Sequence, residues 1–267
     1  MGLWTYEHAV TVLPTFVLMI IIAVVMRKLL INKPFETRML PVKIIAVIIV
    51  IIEIGKQIHS YFIGYDLYHI PLHFCSIFLY VLPLMAFYRG KHQNEVRSFA
   101  SSAMTALLLG MIVMPDIIYK NTRILTFFTD YLAFHTIFFH NLVIFAFFIV
   151  FALDLHKPSG DKKEVAVITL STSLFVAVSA SASHLLNTNF ANFLRSTVDF
   201  IYELTEELKL LAGETVTTAI YTVTLALLHI LLLIVTDYLF LLLCICKEKI
   251  SSRRKKPLLS RSMTDKT

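Results

Sequence analysis

The stretch PVKIIAVIIVIIEIGKQIHSYF, residues 41–62, begins with a long apolar run and ends with polar side chains at Glu53, Lys56, Gln57 and His59. It is long enough for an α-helix to cross the hydrocarbon core of a bilayer, which requires about 20 residues. Ionisable groups are costly inside a membrane, so a span that carries several of them must turn them toward protein or water. The stretch therefore predicts a membrane-spanning helix with one polar half.

The composition of the whole chain agrees with a membrane protein. Hydrophobic residues make up 57% of the 267 residues, charged residues 16%, and the mean hydropathy is +0.76. Soluble globular domains carry about 25% charged residues. The chain is therefore predicted to be all-α and polytopic, with seven transmembrane helices. The predicted spans are 9–30, 41–62, 68–88, 97–118, 126–152, 164–186 and 216–244.

The basic residues indicate the orientation of this predicted bundle. All but five of the 24 Lys and Arg residues fall on one side of the membrane, the side that receives the end of the chain. The exceptions are Lys56, Lys120, Arg123, Arg195 and Lys209. The positive-inside rule makes the basic side cytoplasmic, so the N-terminus is predicted outside and the C-terminus inside. Because the charges lie between apolar runs, the pI near 9.2 does not indicate nucleic-acid binding.

Two segments lie outside the predicted spans. Within the membrane domain, residues 1–246, the segment STVDFIYELTEELKLLAG (196–213) has apolar residues at helical spacing and glutamates on the other face. It predicts an external amphipathic helix on the outer leaflet, although an ordinary connecting helix fits the pattern equally well. Residues 247–267 are predicted to form a basic cytoplasmic tail that touches anionic lipid.

The polar residues within the spans concentrate in their outer halves. Glu53, His140 and His184 come from different predicted spans, and all of them fall toward the extracytoplasmic side. The inner halves contain few comparable residues. This asymmetry predicts a water-accessible polar cavity that opens to the extracytoplasmic leaflet.

The segment HIPLHFCSIFLYVLPL, residues 69–84, places Cys75 at the outer end of the third predicted span. A thiol needs a base before it can act as a nucleophile. On a helix His73 would lie about 200° around the axis from Cys75, so the base is expected from another span. His140 has a similar predicted depth, ~14 Å against ~10 Å for Cys75. His135 is five positions earlier on another face, and the spacing does not choose between the two histidines.

Other interpretations of these residues stay open. A single cysteine in an apolar helix is commonly an inert buried residue, and Cys244 and Cys246 are predicted to be packing or acylation sites. His69 and His73 could contribute to a metal site on a helix. No HExxH or CxxC pattern accompanies them, so neither a metal nor a cofactor is predicted.

Several segments resemble a known family. HIPLHFCSIFLYVLPL resembles the PLHLC signature of the YwaF group of bacterial seven-span membrane proteins. FHTIFFHNLVIF (134–145) is similar to the fifth-span histidine segment of that group, NTNFANFL (187–194) to its segment after span six, and YEHAV (6–10) to the start of its first span. The chain departs from the pattern at Ala191, where the group tends to a Met, and in the acidic segment 196–213.

The YwaF group is similar to the eukaryotic transmembrane protein 164 family, which is described as phospholipid acyltransferases with a membrane cysteine and a histidine. The resemblance implies that Cys75 matches the nucleophile and His140 the base. It also implies a multi-pass protein of the bacterial plasma membrane.

The residues and the resemblance together predict a membrane lipid acyltransferase or transacylase whose partners are membrane lipids. Cys75 would attack an acyl ester presented from the outer leaflet and form a thioester. The predicted supporting residues are Glu53, which would orient a histidine, His73, and His184 or Asn189, which would stabilise the oxyanion.

Two alternatives come from other functional classes. A small-solute or ion transporter would use Glu53, Lys56 and Asp116, and it would need a polar path to the cytoplasm through His229 and Asp237. A non-enzymatic lipid-binding seven-span protein would have the cavity but an inert thiol.

Overall fold

The computed structural model describes residues 4–264, including their side chains except those of Ile117, Asn121 and residues 253–264. Within this part of the chain the secondary structure is helical, without a β-strand. The α-helices are α1 (Tyr6–Leu30), α2 (Phe35–Ile63), α3 (Phe78–Phe87), α4 (Gln93–Val113), α5 (Asn121–Thr126), α6 (Tyr131–Ala152), α7 (Lys162–Leu186), α8 (Asp199–Ala212) and α9 (Glu214–Thr264). Short 3₁₀ turns cover Leu67–His69, Phe74–Ile77, Pro115–Ile117 and Phe190–Asn192.

Five helices of the described chain are long and apolar enough to cross a membrane, namely α1, α4, α6, α7 and the Glu214–Ser252 part of α9. The predicted all-helical membrane protein is thereby confirmed. The 29-residue helix α2 covers the predicted second span. The 3₁₀ turn Phe74–Ile77 runs directly into α3, and together they form a shorter apolar helix, Phe74–Phe87. The presence of seven spans, and the orientation of the N-terminus outside and the C-terminus inside, stay predictions.

The third predicted span, 68–88, is wrong in its first half. Residues 70–73 have no regular helix, and α3 begins only at Phe78. Pro71 explains the break, because the residue before a proline avoids the helical conformation, and Ile70 has ψ 132°. His73 is also extended, with φ −76° and ψ 155°. The helical geometry that placed His73 opposite Cys75 therefore does not apply.

The core lies where α4 meets α3, α6, α7 and α9. Most of α4 is buried, and many of its buried residues are small: Ser98, Ala100, Ser101, Ser102, Ala103, Thr105 and Ala106. Small side chains let neighbouring helices approach closely, which is how helices associate in a lipid environment. Larger side chains such as Phe78, Leu82 and Phe240 fill the space around them and have no exposed surface. This half of the bundle is tightly packed.

A network of ion pairs joins three helices at the opposite end from Cys75. The Asp154 carboxylate, just after α6, lies 2.8 Å from Arg27 Nη1 of α1 and also accepts a bond from Lys247 Nζ of α9. Burial raises the pKa of Asp154, but the hydrogen bonds from Lys247 and Arg27 outweigh it, so that the net shift is downward. Asp154 stays ionised and holds the ends of these helices together.

The amphipathic segment forms α8, which packs on α9 and ends at Gly213, whose φ of 83° suits glycine. Most of its apolar residues are exposed, and Leu210 and Leu211 are 89% and 86% exposed. Beyond this point α9 continues without a break into the segment predicted as a tail, 247–267. Residues 265–267 of that prediction lie outside the described residues.

Candidate functional site

Cys75 occupies the second position of the 3₁₀ turn Phe74–Ile77, directly before α3, and its side chain is half-buried. Its thiol has a hydrogen-bond contact with the side chain of Ser76, the next residue of the same turn. The other two cysteines lie far along the chain on α9, where Cys244 is buried and Cys246 exposed. Cys75 is thus the only cysteine in the described part of the chain that lies in the turn leading into a helix.

His140 lies in α6 and is 8% exposed. Its Nδ1 is 2.5 Å from the carbonyl oxygen of Thr136, and because a carbonyl only accepts, Nδ1 carries the proton and donates. Nε2 therefore keeps a lone pair and can accept a proton. In the described chain no hydrogen bond joins His140 directly to Cys75.

Glu53 of α2 pairs with His135 rather than with His140. Its Oε2 lies 2.9 Å from His135 Nε2, and its Oε1 lies 2.6 Å from Lys56 Nζ. Glu53 and His135 are both buried, at 5% and 8% exposure. Glu53 was predicted to orient a histidine. The histidine that it contacts is His135, which residue spacing had left as an alternative to His140 for the base.

Gln57 connects this ion-pair cluster to the irregular segment before Cys75. Its Nε2 donates to Glu53 Oε1 at 2.7 Å and to the His69 carbonyl at 2.8 Å. Its Oε1 accepts a bond of 2.6 Å from the Tyr65 hydroxyl. Irregular backbone at membrane depth is tolerated where protein holds it, and Gln57 provides that anchoring.

Replacing Glu53 with Ala is expected to destabilise the protein by about 3–5 kcal/mol, because it leaves the Lys56 ammonium buried beside His135 without a counter-charge. Thermal unfolding of the detergent-solubilised protein measures this as a lower melting temperature. Glu36→Ala is the matched control, since Glu36 pairs with Lys43 and Arg89 on the exposed surface, where water screens ion pairs, and its loss should change the melting temperature little. Equal melting temperatures for the two variants would contradict the prediction.

His73 connects the Cys75 segment to the loop that follows α7. Its Nε2 donates to the Tyr68 carbonyl at 3.0 Å, and its ring centroid lies 5.5 Å from that of Phe190. Phe190 is fully buried in that loop. On the other side, the ring of Phe74 lies 5.0 Å from the ring of His229 in α9. Aromatic contacts thus enclose the residues immediately before Cys75.

Asn189 shapes the loop rather than pointing at Cys75. Its Oδ1 accepts bonds from the backbone N–H groups of Leu194 (3.0 Å) and Arg195 (3.2 Å), and its Nδ2 donates to the Arg195 carbonyl at 3.0 Å. Ala191, with φ 46°, occupies the left-handed region that a non-glycine residue rarely adopts. The loop is therefore held in a specific and strained conformation.

His184, at the end of α7, lies by two cavities. One has a volume of about 600 Å³ and the other about 430 Å³, and both are lined by His184, Glu214 and Thr218. Asn189 lines the smaller one. Neither lining includes Cys75, Glu53 or His140. The predicted supporting residues thus fall into two groups. Glu53 and His73 lie by the segment before Cys75, whereas His184 and Asn189 lie at these cavities.

Sequence reasoning did not choose His135 as the partner of Glu53, and it gave no role to Phe190 or Arg195. Their contacts join different helices and loops, which residue spacing along one helix does not reveal. In the described part of the chain, no three His, Cys, Asp or Glu side chains are arranged to hold a metal ion.

Comparison with known proteins identifies the family. No curated protein matches the chain, and no solved structure matches it. Residues 3–236 match the model of the TMEM164 family, which covers nearly the whole chain. The helical membrane architecture agrees with that match. The chain belongs to the TMEM164 family.

Proposed function

We propose that this protein is a membrane lipid acyltransferase or transacylase in which Cys75 is the nucleophile and His140 the general base. The observation that carries the proposal is the position of Cys75 in a chain of the TMEM164 family: a half-buried thiol in the 3₁₀ turn that leads into α3. The two side chains need only come within hydrogen-bond reach when substrate is bound, because catalytic contacts are often long in the free enzyme.

The first step transfers an acyl group from a donor lipid to the enzyme. His140 Nε2 takes the proton of the Cys75 thiol, and Sγ attacks the ester carbonyl of the donor. The bond between the carbonyl carbon and the glycerol oxygen breaks, and His140 returns its proton to that oxygen. The products are a lyso-lipid and an acyl thioester on Cys75.

The second step passes the acyl group to an acceptor hydroxyl, such as that of another lyso-lipid. His140 removes the hydroxyl proton, the oxygen attacks the thioester carbonyl, and Sγ leaves and regains the proton. Splitting the transfer into two acyl steps requires no cofactor.

The oxyanion of each step needs donors near Sγ. Phe74 and Cys75 begin the 3₁₀ turn, and the N–H groups of the first residues of a helix have no partner within that helix. We assign the oxyanion-stabilising role to these two backbone N–H groups, instead of the side chains of Asn189 and His184 predicted from the sequence. The partial positive charge at the N-terminus of α3 would further stabilise the oxyanion.

We also infer seven spans, with α2 and the Phe74–Phe87 segment as the second and third, and with the N-terminus outside. The ion pairs of Arg27, Asp154 and Lys247 at one end of the bundle support this, since the positive-inside rule places that end in the cytoplasm. The likeness to the YwaF group supports a bacterial plasma membrane. The site then opens to the outer leaflet, where lipid donors are available.

Labelling with a membrane-impermeant maleimide tests this orientation. In a background that carries Cys75→Ala and Cys246→Ser and is expressed in intact bacteria, Tyr6→Cys is expected to react at once and Ser252→Cys only after permeabilisation; both positions are exposed. The opposite pattern would overturn the orientation.

The enzymatic proposal is tested by reconstituting the protein in vesicles with a phospholipid labelled in one acyl chain and an unlabelled lyso-lipid. We expect the label to move to the lyso-lipid without acyl-CoA. Double-reciprocal plots of the rate at several acceptor concentrations should be parallel, as in a ping-pong mechanism. If no combination in a panel of donor and acceptor lipids gave more transfer than protein-free vesicles, the proposed acyltransferase activity would be overturned.

A transporter is the second candidate, and Asp237 in α9 favours it. This residue is 1% exposed, and neither of its carboxylate oxygens has a hydrogen-bond partner in the described chain. Between it and the outer polar residues, however, His229 is enclosed by the rings of Phe74 and Phe193. The same vesicles, loaded with a pH-sensitive dye, would report the proton flux that the transporter predicts.

A further inference from the structure

A polar cleft lies at the end of α7, apart from the residues proposed for catalysis. It is the cavity of about 430 Å³ whose lining brings together the loop after α7, the end of α8 and the start of α9. The lining residues are His184, Asn187, Asn189, Leu194, Arg195, Lys209, Glu214 and Thr218. Apart from Leu194, every one of these side chains is polar, so the cleft is suited to a polar ligand.

Two cations from different elements meet in this cleft. The Arg195 guanidinium has no hydrogen-bond or ion-pair partner among the described residues, and its planar donors match the oxygens of a phosphate. Lys209 Nζ lies 2.7 Å from Glu206 Oε1 on the same helix, α8. This hydrogen bond to Glu206 raises the pKa of Lys209, so the ammonium stays charged and keeps further donors for a ligand.

The start of α9 adds a carboxylate and the positive end of a long helix. Glu214 is the first residue of α9, it lines both cavities, and no ion pair engages it in the described chain. Unpaired backbone N–H groups at a helix start favour an anion, whereas the Glu214 carboxylate favours a cation. The cleft therefore presents groups for a ligand that carries both charges.

We propose that this cleft binds the headgroup of a zwitterionic phospholipid, with the phosphodiester at Arg195 and Lys209 and the amine at Glu214. The assignment of the lipid as substrate rests on the proposed acyltransferase function, whereas the binding site itself does not.

A membrane lipid fits this position better than a soluble phosphate ester. Leu210 and Leu211, directly after Lys209, are almost fully exposed, as expected for side chains that contact acyl chains. The loop that lines the cleft also carries Phe190, which contacts His73, two residues before Cys75. The loop that lines the cleft is thereby in contact with the segment that precedes the proposed nucleophile.

Binding of short-chain lipids to the full-length protein in detergent tests the proposal by microscale thermophoresis. The probes are dioctanoyl phosphatidylethanolamine, dioctanoyl phosphatidylglycerol and inorganic phosphate. The variants are Arg195→Gln, Lys209→Gln and Glu214→Gln, each first compared with wild type in melting temperature. Arg89→Gln is the matched control, an exposed arginine far along the chain that pairs with Glu36.

Arg195→Gln and Lys209→Gln are each expected to weaken binding of the zwitterionic lipid about tenfold or more, the effect of removing one charge-assisted hydrogen bond. Glu214→Gln should weaken binding of the zwitterionic lipid but not of phosphatidylglycerol, and Arg89→Gln should change neither. Wild-type affinity in both cation variants would overturn the site. Equal affinity for the two lipids, or for inorganic phosphate, would overturn the zwitterionic lipid as the ligand.

Cys75→Ala separates this inference from the proposed function. It removes the proposed nucleophile but none of the cleft residues, so it should bind phosphatidylethanolamine like wild type even though it transfers no acyl group. Loss of binding in this variant, at an unchanged melting temperature, would contradict a separate headgroup site.

Discussion

Cys75→Ser is expected to lower acyl transfer by about a thousandfold or more, since removal of a nucleophile leaves only binding and oxyanion stabilisation. Serine has nearly the same shape, so the half-buried 3₁₀ turn should keep its structure. The hydroxyl is a far weaker nucleophile than a thiol unless a base is tuned for it. The measurement is the rate of label transfer in reconstituted vesicles at saturating donor.

Two controls make this result specific. Cys244→Ser and Cys246→Ser remove the thiols on α9 and should leave the rate within about twofold of wild type, because neither thiol takes part in the proposed transfer. Cys75→Ser should also keep the wild-type melting temperature. Transfer that survives in folded Cys75→Ser protein would contradict Cys75 as the nucleophile.

His140→Ala is expected to slow transfer by about 10²–10⁴-fold at neutral pH, the usual contribution of a general base. His140 holds its proton on Nδ1, toward the Thr136 carbonyl, so Nε2 is the atom lost to catalysis. Hydroxide can replace the missing base, and the defect should therefore shrink as the pH rises. A pH–rate profile of wild type and variant measures both effects.

His135→Ala is the matched variant on the same helix. His135 contacts Glu53 and should act on stability, so its loss is expected to lower the melting temperature without a rate defect that high pH repairs. If His135→Ala showed the pH-dependent rescue and His140→Ala did not, the histidine that Glu53 orients would be the base.

The helices follow closely from the apolar runs. The predicted span 164–186 corresponds to α7 at Lys162–Leu186, and 9–30 corresponds to α1 at Tyr6–Leu30. The length of an apolar run fixes a membrane helix because the bilayer sets its minimum length. The third span failed for a local reason: Pro71 interrupts the helix, although the apolar composition continues through it.

The site was less predictable than the helices. The sequence placed Glu53, His135 and His140 in the same half of the bundle, but only the rotation and packing of α2 against α6 select His135 as the partner of Glu53. The positions of His184 and Asn189 depend on the loop after α7. That loop contains Asn187 and Ala191 in the left-handed region, which a helix or strand pattern does not encode.

The first-span histidine of the resemblance has a structural role. His8 is 1% exposed, and its Nδ1 completes the cap of α1 with Thr5. Its Nε2 lies 2.5 Å from the Tyr119 carbonyl, which joins α1 to the segment before α5. A motif histidine in a membrane protein therefore need not be catalytic.

The most direct test of Cys75 as the nucleophile is to look for the acyl-enzyme itself. Purified protein is incubated with a phospholipid donor and no acceptor, digested, and analysed by peptide mass spectrometry. We expect one acyl group on the peptide that contains Cys75, removed by neutral hydroxylamine and strongly reduced in His140→Ala. Acyl transfer to an added acceptor without this adduct, or an adduct only on Cys244 or Cys246, would contradict it.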